Sequence, residues 1–121
     1  SLLAAVLEKK IGLSLQDKDI FLNVVGGVKV VDPAADLAVT LAIATALLDR
    51  KMPHDVVVLG EVGLSSEVRS ISHVLTRINE AQKLGFQRCI LPKNNLKAKE
   101  IRKEKIECVG VETVKQALDI L

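Results

Sequence analysis

The 121-residue sequence predicts a single α/β domain with at least partly parallel strands. Two observations carry this. Segments of helical period alternate with short β-branched runs from end to end, without repeats, linkers or low-complexity tracts. The run DVVVLGEV, residues 55–62, is apolar on both sides, as a strand covered on both faces must be. The length is enough to bury roughly two thirds of the unfolded surface, so the domain needs no disulfide or metal to hold a core.

The elements follow in order. Leu3, Val6, Leu7 and Lys10 recur at helical spacing and Gly12 stops them, which predicts a helix over 2–10. DIFLNVV, residues 19–25, alternates its side chains and ends at Gly26-Gly27, a strand running into a turn. Asp32 is a good N-cap and Pro33 suits the first helical position, which opens a helix over 33–49. That helix is so rich in alanine that neighbours can approach on almost every side, as a buried central helix allows. After the strand at 55–62, Gly63 and the serines behind it predict a hairpin into EVRSI, residues 67–71. Ser72 is expected to cap a helix from His73 to Leu84, with Gly85 as its stop. RCILP and IECVGV are strands, KNNLKAKEIRKEK between them is a basic loop or short helix, and Thr113 caps a last helix, VKQALDIL.

Composition excludes several functions. The chain is 49% hydrophobic, almost all of it aliphatic, and Phe21 and Phe86 are its only aromatics, which argues against a protein that stacks single-stranded bases on exposed rings. Cys89 and Cys108 lie in apolar strand-like runs without C-x-x-C spacing and read as buried thiols of a reducing compartment. Asp36 and Asp49 interrupt the longest apolar run, leaving no membrane span. The first residues place their charges after the apolar part, the reverse of a secretory signal, and the missing initiator Met suggests a piece of something longer.

A helix start such as Asp32-Pro33 aims free N–H groups at the space before it, where an enzyme could hold an oxyanion or a nucleophile, yet Ala34 and Ala35 line it. Ser65, Ser66, Ser70 and Ser72 sit in a turn and at a cap. A surviving Ser–Lys peptidase would need Ser65, Ser70 or Ser72 within about 3 Å of a lysine base. His54 and His73 have no metal-ligand spacing, and Gly60 and Gly63 make no phosphate loop, so no metal or nucleotide site is expected. Between Lys93 and Lys105 six basic residues meet two acidic ones, a net of +4 on a chain of +2. Such a run is either an edge that binds phosphates by releasing counterions or a solvated helix face.

The stretches VVGGVKVVDPAADLAVTLAIATALL and VVVLGEVGLSSEVRSISHVLTRINEAQKLGFQRCILPKNN resemble, collinearly over essentially the whole chain, the C-terminal domain of the RadA (Sms) family of DNA repair proteins. That domain is similar to the proteolytic domain of Lon proteases, so the resemblance implies a Lon protease-like fold of the ribosomal protein S-five domain 2 type. Lon proteases carry Gly-Pro-Ser-Ala-Gly where this chain reads Asp32-Pro33-Ala34-Ala35-Asp36, which puts Ala34 at the nucleophile's position. Their Gly-Gly-Leu-Lys-Glu-Lys segment lies against SHVLTR and puts Leu75 at the lysine's. Neither residue can attack a carbonyl or take its proton, so the resemblance implies a domain with no catalytic residue. Asp36, a carboxylate on a helix expected to be buried, needs a partner, and Arg77 or Arg69 is the expected one.

The resemblance further implies a non-catalytic scaffold of a hexameric ring that acts on branched recombination intermediates. Its expected partners are duplex or branched DNA, sister subunits and a RecA-type recombinase, with no membrane. The DNA-contacting candidates are Lys93, Lys97, Lys99, Arg102 and Lys103, then Arg69, Arg77 and Lys83. ATP, magnesium and zinc belong to family segments whose motifs do not occur here, so no cofactor is expected in this domain. The expected location is the cytoplasm, at the nucleoid, for a bacterial source, or an organelle for a eukaryotic one. The alternative is a purely protein–protein scaffold.

Overall fold

The structure, a computed structural model, describes residues 32–98, 101 and 105–121. The expected helix at 2–10 and strand at 19–25 lie outside these residues. The described part opens with a short 3-10 turn, Pro33–Ala35, and continues through α1 (Asp36–Leu47), β1 (Val56–Val58), β2 (Glu61–Val62), β3 (Val68–Arg69), α2 (Val74–Lys83), β4 (Arg88–Pro92), a second 3-10 turn (Lys93–Lys97), β5 (Glu107–Val111) and α3 (Val114–Asp119). β1, β4 and β5 form a parallel sheet in that order, with Val56 opposite Arg88 and Arg88 opposite Glu107, while β2 and β3 form a separate antiparallel hairpin. The α/β class with a parallel sheet is therefore as the sequence predicts.

The side-chain alternation of the strands divides the core into two layers. Val56, Val58, Ile90 and Val111 pack with Leu37, Leu41 and Ala44 of α1 and with Val114, Ala117 and Leu118 of α3. Val57, Cys89, Leu91 and Cys108 belong to the other layer, with Ile78 and Ala81 of α2 and with Leu96, Ile101 and Ile106 from the β4–β5 connection. Helix α2, from the β1-to-β4 crossover, and the β4-to-β5 connection thus cover one face. Two crossovers of one hand that step in one direction across a sheet must do so.

The boundaries carry three corrections. The strand expected over 55–62 breaks at Leu59-Gly60, because Gly60 leaves the sheet to bond the start of the first helix: its N–H donates to the Ala34 carbonyl (2.9 Å) and its carbonyl accepts from the Leu37 N–H (3.0 Å). Helix α1 buries Leu37, Thr40, Leu41, Ile43, Ala44 and Thr45 but leaves Ala42 and Ala46 exposed, so it presents one face rather than burying nearly every side. Ser72 does not cap α2. His73 holds the N-cap position in a left-handed conformation (φ 55°) with no side-chain capping bond, and the Ser72 carbonyl accepts from Arg77 Nε (3.0 Å).

The remaining ends form as the sequence indicates. Asp32 accepts from the Ala34 N–H (3.0 Å) and Thr113 from the Gln116 N–H (3.1 Å). Gly85, at φ 91°, closes α2: its N–H bonds the Gln82 carbonyl while the Phe86 N–H reaches Ala81 (both 3.1 Å), the paired bonds of a Schellman ending. Asp49 plays the same part after α1, at φ 54°, with the Arg50 N–H on the Thr45 carbonyl (2.8 Å). The Arg50 guanidinium then reaches the Leu121 carbonyl (3.3 Å) and ties the ends of α1 and α3 together.

Gly110 of β5 lies under the second 3-10 turn, where a Cβ would stand 2.5 Å from Leu96 Cδ1 and 2.9 Å from the Lys93 Cα. Backbone cannot retreat as a flexible side chain can, so Gly110→Ala is expected to destabilise the domain by about 1–3 kcal/mol. Urea unfolding should show a lower midpoint with an unchanged slope.

Candidate functional site

The residues singled out at the first helix start converge with the start of α2 and the β1–β2 junction. Backbone bonds from Gly60 fix the turn of Pro33–Ala35 from one side. From the other, the Arg77 guanidinium grips the Asp32 carboxylate with both nitrogens, NH1 to Oδ2 at 2.7 Å and NH2 to Oδ1 at 3.3 Å, while its Nε donates to the Ser72 carbonyl. A planar fork with its donors used in this way orients as well as attracts. Asp32 therefore has two roles at once, capping the helix through the Ala34 N–H and anchoring α2.

The ion pair expected of Asp36 is not the one formed. Asp36 Oδ2 accepts from the Val62 N–H (3.2 Å), and among the described residues no guanidinium pairs with it. Arg77 pairs with Asp32, and Arg69 lies 3.9 Å from Glu67 within its own hairpin. The reason is steric placement. The Asp36 carboxylate at the first turn of α1 is held by the hairpin backbone, whereas Asp32 stands ahead of the helix, half-exposed, where a side chain from α2 can reach it. Ala34 is buried and Leu75 half-buried, so these two positions present only methyl and isobutyl groups. Among the described residues no lysine amine bonds Ser65, Ser70 or Ser72, and no three His, Cys, Asp or Glu side chains are grouped as a metal site would require.

Two further clamps went unread in the sequence. Asn95 accepts from the Ile71 N–H (3.0 Å) and donates to the Ile71 carbonyl (3.1 Å), pinning the segment between β3 and α2 to the second 3-10 turn. Gln82 accepts from the Ile106 N–H (2.9 Å) and ties α2 to the start of β5. The only sequence signal was a pair of amides, Asn94-Asn95, after a strand, and turn chemistry explains that equally well.

The described basic candidates do not share one surface. Lys93 pairs with Glu112 (3.3 Å) and shares with Arg69 and Glu67 a polar groove of about 360 Å³. Lys83, the last residue of α2, lies with Lys105 along a second groove of about 530 Å³. Lys93 follows the end of β4 and Lys105 precedes the start of β5, so about 16 Å of strand separates them. Lys97 is exposed at the end of its turn. Lys99, Arg102 and Lys103 lie outside the described residues.

Hydrogen bonds from Arg77, then from the Ala34 N–H, hold the Asp32 carboxyl below its ordinary value of 3.8. The pair therefore contributes its full stability above pH 3.8, and the contribution is lost as the pH falls through the lower folded-state value. Asp32→Asn keeps the cap and removes the charge. Its thermal midpoint is expected to fall below wild type at neutral pH and to converge with it in acid, and scanning calorimetry across that range checks this.

Among family models, the one described as ChlI, subunit ChlI of Mg-chelatase, matches residues 3–95. Similar curated proteins named DNA repair protein RadA include those of Chlamydia pneumoniae (44% identical, over 100% of this chain and 27% of that protein), Escherichia coli K12 (45%, 99% and 26%) and Streptococcus pyogenes serotype M3 (48%, 98% and 26%). The chain spans about a quarter of the length of these relatives.

Proposed function

The chain belongs to the family described as subunit ChlI of Mg-chelatase, and we propose that it is a non-catalytic Lon-like domain of a RadA-type DNA repair protein. In this reading it contributes a DNA-contacting surface and helps hold a homo-oligomeric ring that processes branched recombination intermediates. Similarity over the whole chain to proteins named for DNA repair supports the repair context.

The observation that carries the non-catalytic reading is the start of the first helix. Ala34 and Leu75 have no group that can attack a carbonyl or accept a proton, and of the carboxylates at this helix start Asp32 is engaged by Arg77 and Asp36 by the Val62 N–H. The charges there serve to join α1 to α2. ATP, magnesium and zinc chemistry would belong to other parts of such a protein, as would contact with a RecA-type recombinase.

For the DNA surface, the described candidates rank by their partners. Arg69, Arg77 and Lys93 are each engaged by a carboxylate, so a phosphate would have to displace it. Lys97 and Lys83 are exposed and, among the described residues, outside any ion pair. Together with Lys99, Arg102 and Lys103 they form the preferred set. Contacts of this kind are to phosphate and weaken steeply with salt.

A second reading, subunit contact alone, draws on one observation. Leu84, 68% exposed, borders a groove lined by Val57, Ala81 and Phe86, an apolar surface of the sort a neighbouring subunit covers.

A fluorescence titration of labelled duplex with the wild-type chain and with a triple Lys97→Glu, Lys99→Glu, Arg102→Glu variant, at two salt concentrations, separates the readings. Salt-sensitive binding by wild type that drops at least tenfold in the variant is expected. Absence of binding by either protein at low salt, with concentration-dependent assembly, would instead establish the scaffold. A fluorogenic peptide assay is expected to show no hydrolysis in either case.

A further inference from the structure

The second core layer holds two thiols for which the proposed function has no use. Cys89 lies in the central strand β4 and Cys108 in its parallel neighbour β5, and the two are register partners. Register partners project to the same face of a sheet, and both side chains belong to the layer formed with Ile78 and Ala81 of α2. Both are reduced; Cys89 is fully buried and Cys108 half-buried. Among the described residues β5 is an outer strand of its sheet, so Cys108 is the thiol that a small solute reaches first.

Parallel neighbours stand about 4.8 Å apart, inside the Cα separation of roughly 4.4–6.8 Å that a disulfide spans. Their Cβ atoms, at about the same separation, lie slightly beyond the ~3.5–4.5 Å of a relaxed bridge. Closure would draw β4 and β5 together, and a bridge under such strain is readily reduced again.

We propose that Cys89 and Cys108 form a reversible disulfide when the protein meets hydrogen peroxide, a modification that ties the central strand to β5. The Cys108 thiolate attacks a peroxide oxygen; the O–O bond breaks, giving the sulfenic acid and hydroxide, which takes up the thiol's proton as water. The Cys89 sulfur then attacks the sulfenic sulfur. The S–S bond forms, the S–O bond breaks, and the released hydroxyl leaves with the Cys89 proton as a second water. Two thiols and one peroxide give one disulfide and two waters. Burial, and then the neighbouring Cys108, push the Cys89 thiol up to about 12, so the second step is slow at neutral pH and quickens as the pH rises.

The strain is transmitted locally. Two residues along β5, Gly110 packs under the turn that carries Lys93 and Leu96, so a pinch between β4 and β5 moves the base of that turn.

The test exposes the chain to hydrogen peroxide, alkylates the remaining thiols under denaturing conditions and reads intact mass and peptide maps. The expected product has lost two hydrogens, carries no alkylation at either cysteine, links the Cys89 and Cys108 peptides within one chain and reverts with dithiothreitol. Cys108→Ser, a small change at a half-buried position, is expected to leave Cys89 fully alkylatable after the same treatment. Three results would each overturn the proposal: added oxygen on Cys108 with Cys89 still a thiol, a bridge between two chains, or no reaction at either residue. The wild-type map decides alone if the variant fails to fold.

Discussion

Two backbone hydrogen bonds at Gly60 organise the region on which the rest depends. Its N–H on the Ala34 carbonyl and its carbonyl on the Leu37 N–H join the β1–β2 junction to the first helix start. They interrupt a run that would otherwise continue as one strand, and they present the Val62 N–H to the Asp36 carboxylate. Glycine suits this approach, because a Cβ would stand 2.9 Å from Val68 Cγ1 and 3.2 Å from Leu37 Cδ2 and force those side chains to shift. The separate hairpin β2–β3 follows from the break, and Val62 and Val68 from that hairpin then complete the core layer under α1.

With the helix start fixed, the other groups around it divide the available charges. Asp36 is satisfied by backbone, which leaves Arg77 to Asp32. That ion pair replaces what an unpaired helix start would offer to a ligand: its foremost carboxylate is neutralised and its nearest N–H is capped. An arrangement that could hold a developing negative charge instead holds two helices together. The same logic applies along the second 3-10 turn, where Asn95 uses both ends of its amide on Ile71 and so keeps the segment leading into α2 against the sheet.

The chain carries a basic run, but the fold sets its described ends apart. Lys93 and Lys105 leave opposite ends of neighbouring parallel strands, and Lys93 meets Glu112, nineteen residues further on. Arg69 meets Glu67, two residues earlier on the same arm of the hairpin. A net charge of +4 over a short stretch therefore measures composition, while the number of cations able to meet a phosphate is set by which carboxylates the fold brings alongside.

The sequence by itself determined the elements whose causes are local. Asp32 and Thr113 cap because a short oxygen-bearing side chain reaches the nearest N–H groups, Gly85 stops α2 because it accepts a left-handed φ, and RCILP and ECVGV are strands because β-branched and apolar residues suit a sheet covered on both faces. Tertiary structure alone decided whatever depends on partners distant in the chain. Arg77 chose Asp32, forty-five residues away, over Asp36 because of where two helix starts meet. Gly60 ended a strand because a helix start needed its backbone, and His73 took the position expected of Ser72 while the Ser72 carbonyl accepts from Arg77. Local propensity is written in neighbouring residues, whereas the choice among several adequate partners is made only when packing sets their distances.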